Sequence, residues 1–211
     1  MKRRLKRNSG HNTRSVPHEV WAVFALLLLA GCLGRSPDVR HFVLGVSDSS
    51  SAEARAPGVA VLVGPVRLPA YLERSQMATL VGGGEVDLDE FSRWLGGFEE
   101  NFLRAISLGL ASELGSDRVA PAPSKAPFPF DYQIRLHVDD MILEEAGTLR
   151  VRIRWALLPG SEEGRPTFFI MDERFSSDGD EATDLVRVHD QALSTLVHRI
   201  VDEISKHHST H

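Results

Sequence analysis

The chain has 211 residues, with 24 Lys and Arg against 29 Asp and Glu, a formal net charge of −5, and a single cysteine. One thiol cannot form a disulfide within the fold, and it cannot build a zinc site made of cysteines. An acidic balance with no basic tract in its main body carries no electrostatic footprint for nucleic acid.

The first element is a leader. Lys2, Arg3, Arg4, Lys6 and Arg7 form a basic head, and Trp21–Ala30 is an apolar run that ends at Gly31-Cys32. A basic head, an apolar stretch of about 7–15 residues and small residues at its end make a secretory signal. The run is shorter than the roughly 20 residues that span a bilayer. Leu29-Ala30-Gly31-Cys32 resembles the bacterial lipobox, in which cleavage precedes the cysteine and its thiol carries diacylglycerol. An ordinary signal peptide with a chance cysteine, or a signal anchor, is the alternative. The expected division is residues 1–31 as lipoprotein signal peptide, 32–40 as tether and 41–211 as one domain. Removing residues 1–31, which hold six bases and one acid, leaves 180 residues with 18 bases, 28 acids and a net charge of −10. So acidic a body is repelled by anionic lipid heads, and the lipid chains themselves would have to hold it to a membrane. Leu33 follows the cysteine where aspartate usually marks inner-membrane retention, which favours the outer membrane.

Further along, His41–Leu44 reads as a brief strand, and residues 47–57 read as a loop. Gly58–Val66 reads as a strand buried on both faces. Gln76–Val81 and Glu85–Leu88 flank Gly82-Gly83-Gly84 as a hairpin. Asp89 is expected to open a short helix carrying Phe91, Trp94 and Leu95, with Phe91 and Trp94 in the core. Gly96-Gly97 then interrupts it. Phe98, Phe102, Ile106, Leu110 and Leu114 recur every four residues and predict a helix over Phe98–Leu114, closed by Gly115. Residues 121–129 are proline-rich and read as a loop. Strict alternation in Tyr132–Asp139 and Leu149–Trp155 predicts strands with one wet face. A third strand over Thr167–Phe175 completes an antiparallel meander. A final helix, about Glu181–Ser205, places Leu185, Leu193, Leu196, Val197, Ile200 and Ile204 on one side. The expected architecture is α+β, a single-domain two-layer sandwich with a mostly antiparallel sheet and two main helices on one face.

The chemistry-bearing residue types assemble no constellation. The nine histidines include no His-Glu-x-x-His pair. His189 falls within about 20° of the apolar stripe of the last helix while His198 points the opposite way, so His189 reads as a buried, hydrogen-bonded histidine. Gly82-Gly83-Gly84 lacks the Lys-Ser/Thr ending of a phosphate loop, and no Gly-x-Ser-x-Gly elbow occurs. The acid pairs Asp139-Asp140, Glu144-Glu145 and Glu162-Glu163 read as solvated acids on or beside turns. Arg150, Arg152 and Arg154 form a ladder on a wet strand face; carboxylates on the neighbouring strand are the expected partners, and an acidic binding partner is the alternative. No catalytic residue, cofactor or metal site is read.

Residues 63–76, Val-Gly-Pro-Val-Arg-Leu-Pro-Ala-Tyr-Leu-Glu-Arg-Ser-Gln, together with Glu90-Phe-Ser-Arg-Trp94 and Asn101-Phe-Leu103, resemble the ABC-type transport auxiliary lipoprotein family. The likeness continues through the strand from Asp131, Arg154–Leu158 and the last helix. It departs at Ser75, Leu80 and Gly96-Gly97. The resemblance implies a lipoprotein modified at Cys32 and anchored in the outer membrane on its periplasmic face. Its partner would be an MCE-domain transporter protein that moves phospholipid between membranes. A homo-oligomeric ring of copies is one arrangement left open, and the family brings no catalytic residues. Pro65, Leu68, Pro69, Tyr71, Arg74 and Gln76, in the segment where the family motif concentrates, are the candidate partner contacts. A stand-alone envelope scaffold or regulatory lipoprotein, supporting cell-wall synthesis or outer-membrane assembly, is the competing expectation.

Overall fold

The computed structural model describes residues 37–45, 54–122, 128–144, 147–161, 164–177, 179 and 181–208. The leader, Cys32 and the first half of the tether lie outside the described residues. So do most of the loop expected over residues 47–57, residues 123–127, and Glu145, Glu162 and Glu163 of the acid pairs. The chain divides into residues 1–38 and 39–211, and every strand and helix described lies in the second unit.

Among its described residues that unit is α+β, with eight strands in one mixed sheet and two helices. In chain order the strands are β1 (Arg40–Phe42), β2 (Val61–Arg67), β3 (Gln76–Val81), β4 (Glu85–Trp94), β5 (Val119–Pro121), β6 (Tyr132–Glu144), β7 (Thr148–Pro159) and β8 (Thr167–Ser176). The helices are α1 (Phe98–Leu114) and α2 (Ala182–His208). The longest ladders, β6 with β7 and β7 with β8, are antiparallel and form the expected meander. The sheet also contains parallel pairings of β6 with β2 and β3, of β2 with β5, and of β1 with β4.

β6 is the hub. One edge pairs along its whole length with β7. The other edge is shared: Tyr132–His137 pair with β2, and Leu143–Glu144 pair with β3. The sheet therefore forks, with β2–β5 on one branch and β3–β4–β1 on the other.

Alternation along the strands sets the core. Ile134, Leu136 and Val138 of β6, with Leu149, Val151 and Ile153 of β7, are buried in one cluster with the apolar stripes of both helices. The four-residue repeat of α1 is fully realised, since Phe98, Phe102, Ile106, Leu110 and Leu114 are all buried. Gly115 caps this helix at φ +67°, and the Ser116 N–H returns to the Ala111 carbonyl at 3.0 Å. Only glycine fits there twice over: the backbone is left-handed, and a Cβ would meet Ala54 at 2.4 Å.

Three expectations are corrected. Asp89–Leu95 forms no helix; β4 continues unbroken to Trp94 and pairs with both β3 and β1. Period two then turns Ser92 and Trp94 inward and leaves Phe91 exposed rather than in the core. Sheet pairing has overridden the local helical pattern. Gly58–Val66 is also less enclosed than its apolar run suggests. The strand begins at Val61, and its second half opens to solvent at Pro65 and Arg67. Finally, Pro121 belongs to β5 rather than to a loop.

His189 is buried as expected. Its Nδ1 donates to the Leu185 carbonyl at 2.6 Å, and its ring meets Trp94 edge-on at 5.3 Å. Burial pushes its pKa down to about 4, against the opposing carbonyl bond. The unfolded chain therefore binds a proton that the native chain refuses, and stability falls as pH drops from about 6.5 through about 4. The full loss is about 3 kcal/mol. Denaturant unfolding at pH 7, 5.5 and 4.5 should show a His189→Leu variant losing visibly less stability over this window than the wild type. Parallel losses would contradict the assignment.

Candidate functional site

The face of the sheet that carries Arg135, His137 and the arginine ladder is polar. The segment between β2 and β3 bridges the fork of the sheet, packs Leu72 into the core and, with the strand ends beside it, contains the candidate contacts. Pro65 is exposed on β2, and Leu68 is half-buried against the core. Pro69 precedes a short 3-10 turn, Ala70–Glu73, which carries Tyr71 and the buried Leu72. Arg74 is exposed, and Gln76 opens β3 with its amide 3.4 Å from a Glu90 carboxylate oxygen. The six residues are thus brought into one stretch but not onto one surface.

Tyr71 is a structural bolt. Between His137 and Leu143, β6 has neither β2 nor β3 beside it. The Met141 N–H points into this gap and donates to the Tyr71 hydroxyl at 2.9 Å. The same hydroxyl donates to Asp140 Oδ1 at 2.7 Å. A side chain has taken the place of a missing strand, which satisfies a backbone donor that would otherwise be orphaned. Burial pushes the Tyr71 phenol well above its usual range, and the neighbouring Asp140 carboxylate adds to the rise. The hydroxyl therefore keeps its proton and remains a donor.

Asp140 is held in place by a bulge. The β6–β7 register shifts between Val138 and Asp140, so two consecutive acids oppose one stretch of β7. Asp139 accepts both Nε and Nη2 of Arg154, at 2.7 and 2.5 Å. Asp140 accepts Arg150 Nε at 2.6 Å, and Glu144 accepts Arg150 Nη1 at 2.8 Å. Arg152 reaches Asp172 of β8 at 2.9 Å. The arginine ladder is therefore paired across strands, as its spacing suggests. The reading of Asp139-Asp140 as turn acids is corrected, because both lie inside β6. The Arg154 guanidinium holds the Asp139 carboxyl below the usual carboxylate range. The signal was available in sequence: two adjacent polar residues interrupt a strict alternation, as a bulge requires.

Two apolar-lined clefts are among those that border the segment. One, of about 740 Å³, runs between the 3-10 turn and α1, over Leu68, Leu72, Phe98 and Leu103, with Glu73, Glu99 and Glu100 among its lining. The other, of about 580 Å³, lies on the polar face between Arg135 and Phe168. Among the described residues no group of three or more His, Cys, Asp or Glu side chains is placed to hold a metal ion, and no helix is long and apolar enough to cross a membrane. Among the described residues the arrangement offers ion pairs and surfaces.

Removing the Tyr71 hydroxyl should therefore destabilise the fold, while trimming its exposed neighbour should not. Tyr71→Phe strands the Met141 N–H and should cost about 1–3 kcal/mol. Arg74→Ala should stay within about 0.5 kcal/mol of wild type. Chemical denaturation of both variants checks the contrast; equal stabilities would refute the role given to the hydroxyl.

The fold has solved counterparts. A crystal structure of an uncharacterized protein matches with a TM-score of 0.65 at 14% identity, over 80% of this chain and 99% of that one. A DUF330 protein from Xanthomonas campestris matches with a TM-score of 0.57, also at 14% identity, over 82% of this chain and 96% of its own. Identities this low carry the fold alone. No curated protein matches the chain. The family model described as ABC-type transport auxiliary lipoprotein component matches residues 42–201, most of the chain and nearly all of its strands and helices. The chain belongs to the ABC-type transport auxiliary lipoprotein family.

Proposed function

We propose that this chain is a non-catalytic accessory subunit of an ABC-type system that moves phospholipid between membranes, with an MCE-domain protein as its partner. Residues 1–31 are removed as a signal peptide, and Cys32 carries the lipid. Residues 32–40 form the tether, and the domain over residues 41–211 stands on the periplasmic face of the outer membrane. The observation that carries this reading is the family match beginning at residue 42, ten residues after the cysteine of a lipobox-like Leu-Ala-Gly-Cys. The acidic body supports it, because a surface of this sign needs an anchor to stay on an anionic bilayer. Two or more acyl chains supply such an anchor where one does not. The bolted segment supports it too, since a crossing held at Tyr71 and Leu72 offers Pro65 and Arg74 on a fixed frame.

A stand-alone scaffold or regulator in the envelope is the second reading, and it shares the anchor but not the partner. The two separate in one experiment. Affinity capture of the lipidated protein from native membranes should recover an MCE-domain protein. Recovery of cell-wall or outer-membrane assembly proteins alone would favour the scaffold. For the anchor itself, Cys32→Ser should leave the protein uncleaved or soluble. Fractionation of that variant with the outer membrane as efficiently as wild type would refute lipid attachment.

A further inference from the structure

The polar face is electrostatically satisfied on one half only. Around the bulge every ladder arginine has a carboxylate. Further along β6 and on the adjoining β2, Arg135 and Arg67 are exposed, and among the described residues neither has an ion-pair partner; Arg135 reaches the Gln133 amide oxygen at 3.4 Å. They stand beside the two most exposed aromatic and aliphatic side chains of β8, Phe168 at 78% and Ile170 at 58%.

The register explains how these groups come to face one another. Arg135 of β6 is opposite Ala156 of β7, which is opposite Phe168 of β8. In the next outward row Arg67, His137, Arg154 and Ile170 follow one another across β2, β6, β7 and β8. In the first row the small Ala156 makes a floor between Arg135 and Phe168, which stand two strand spacings apart, about 10 Å. In the second row Arg154, paired with Asp139, takes the floor position, and Arg67 stands three strands from Ile170. The result is the 580 Å³ slot, centred on β7 between a cationic side on β2 and β6 and an apolar side on β8.

We infer that this slot is a docking site for an extended segment of a partner protein whose residues alternate between carboxylate and apolar side chains. Successive side chains of an extended chain point to opposite sides. A segment lying along β7 therefore turns every second residue toward the guanidinium groups and the others toward Phe168 and Ile170. Charge complementarity selects the sign, because these are cations without partners on an otherwise acidic body. The concave shape selects a chain over a membrane, since a flat bilayer surface cannot reach the Ala156 floor. The segment can come from a transporter or from any other envelope protein, so the inference stands apart from the identity of the transport partner.

The test uses the full chain purified in detergent and two synthetic hexapeptides, acetyl-Val-Glu-Val-Glu-Val-Glu-amide and its Lys counterpart. Calorimetric titration should show saturable binding of the Glu peptide and at least tenfold weaker binding of the Lys peptide. Arg135→Glu should weaken the Glu peptide at least tenfold and strengthen the Lys peptide. Phe168→Ser should weaken binding to a similar degree with an unchanged melting temperature. Equal binding of the two peptides, or indifference to both substitutions, would overturn the inference. So would binding of phosphatidylglycerol micelles that Arg135→Glu abolishes while the Glu peptide fails to bind, which would give the slot to lipid. Self-association that Phe168→Ser abolishes and the Glu peptide cannot displace would give it to a second copy of this chain.

Discussion

The backbone of β6 between His137 and Leu143 is the point on which the sheet depends. Two parallel strands share one edge of β6, and neither covers this stretch. A buried amide without a partner there would cost as much as a lost hydrogen bond or more. Tyr71 supplies the acceptor from the crossing that joins those same two strands. The branch point and its repair therefore lie in one piece of chain. The bulge at Asp139 and Asp140 completes the arrangement, because it delivers the carboxylate that holds the Tyr71 proton and engages Arg150. Singly, exposed ion pairs contribute little. Linked through a half-buried tyrosine, they fix the crossing relative to the meander.

Much of this was legible in the residues. The helix over Phe98–Leu114, the three alternating strands, the buried His189 and the cross-strand arginine pairs all follow from periodicity, which reports the face a residue occupies. Periodicity does not report which strands become neighbours. The parallel pairings around β6 join segments some 70 residues apart, such as Val63 with Ile134, and no local pattern encodes them. The misreading of Asp89–Leu95 has the same origin. Its acidic start and spaced aromatics suit a helix, and only pairing with β3 and β1 makes it a strand. The family motif alone puts Tyr71 among the candidate surface contacts. The structure turns its hydroxyl inward, so part of that motif maintains the fold.

The division of roles along residues 65–76 clarifies what such a domain can do. Tyr71 and Leu72 hold the segment from within, while Pro65 and Arg74 remain outside. The functional potential lies in surfaces: an apolar cleft beside α1 with acids among its lining, and a slot with opposed cationic and apolar walls. Surfaces of this kind are in keeping with the chain's membership of the ABC-type transport auxiliary lipoprotein family.

The bolt at Tyr71 is tested most directly by amide hydrogen exchange at Met141. Its N–H lies in a gap in the strand pairing, so protection there must come from the tyrosine hydroxyl. Met141 should exchange as slowly as the strand-paired Ile134 in the wild type, and many times faster in Tyr71→Phe. A Met141 amide that exchanges freely in the wild type, or one whose protection survives loss of the hydroxyl, would contradict it.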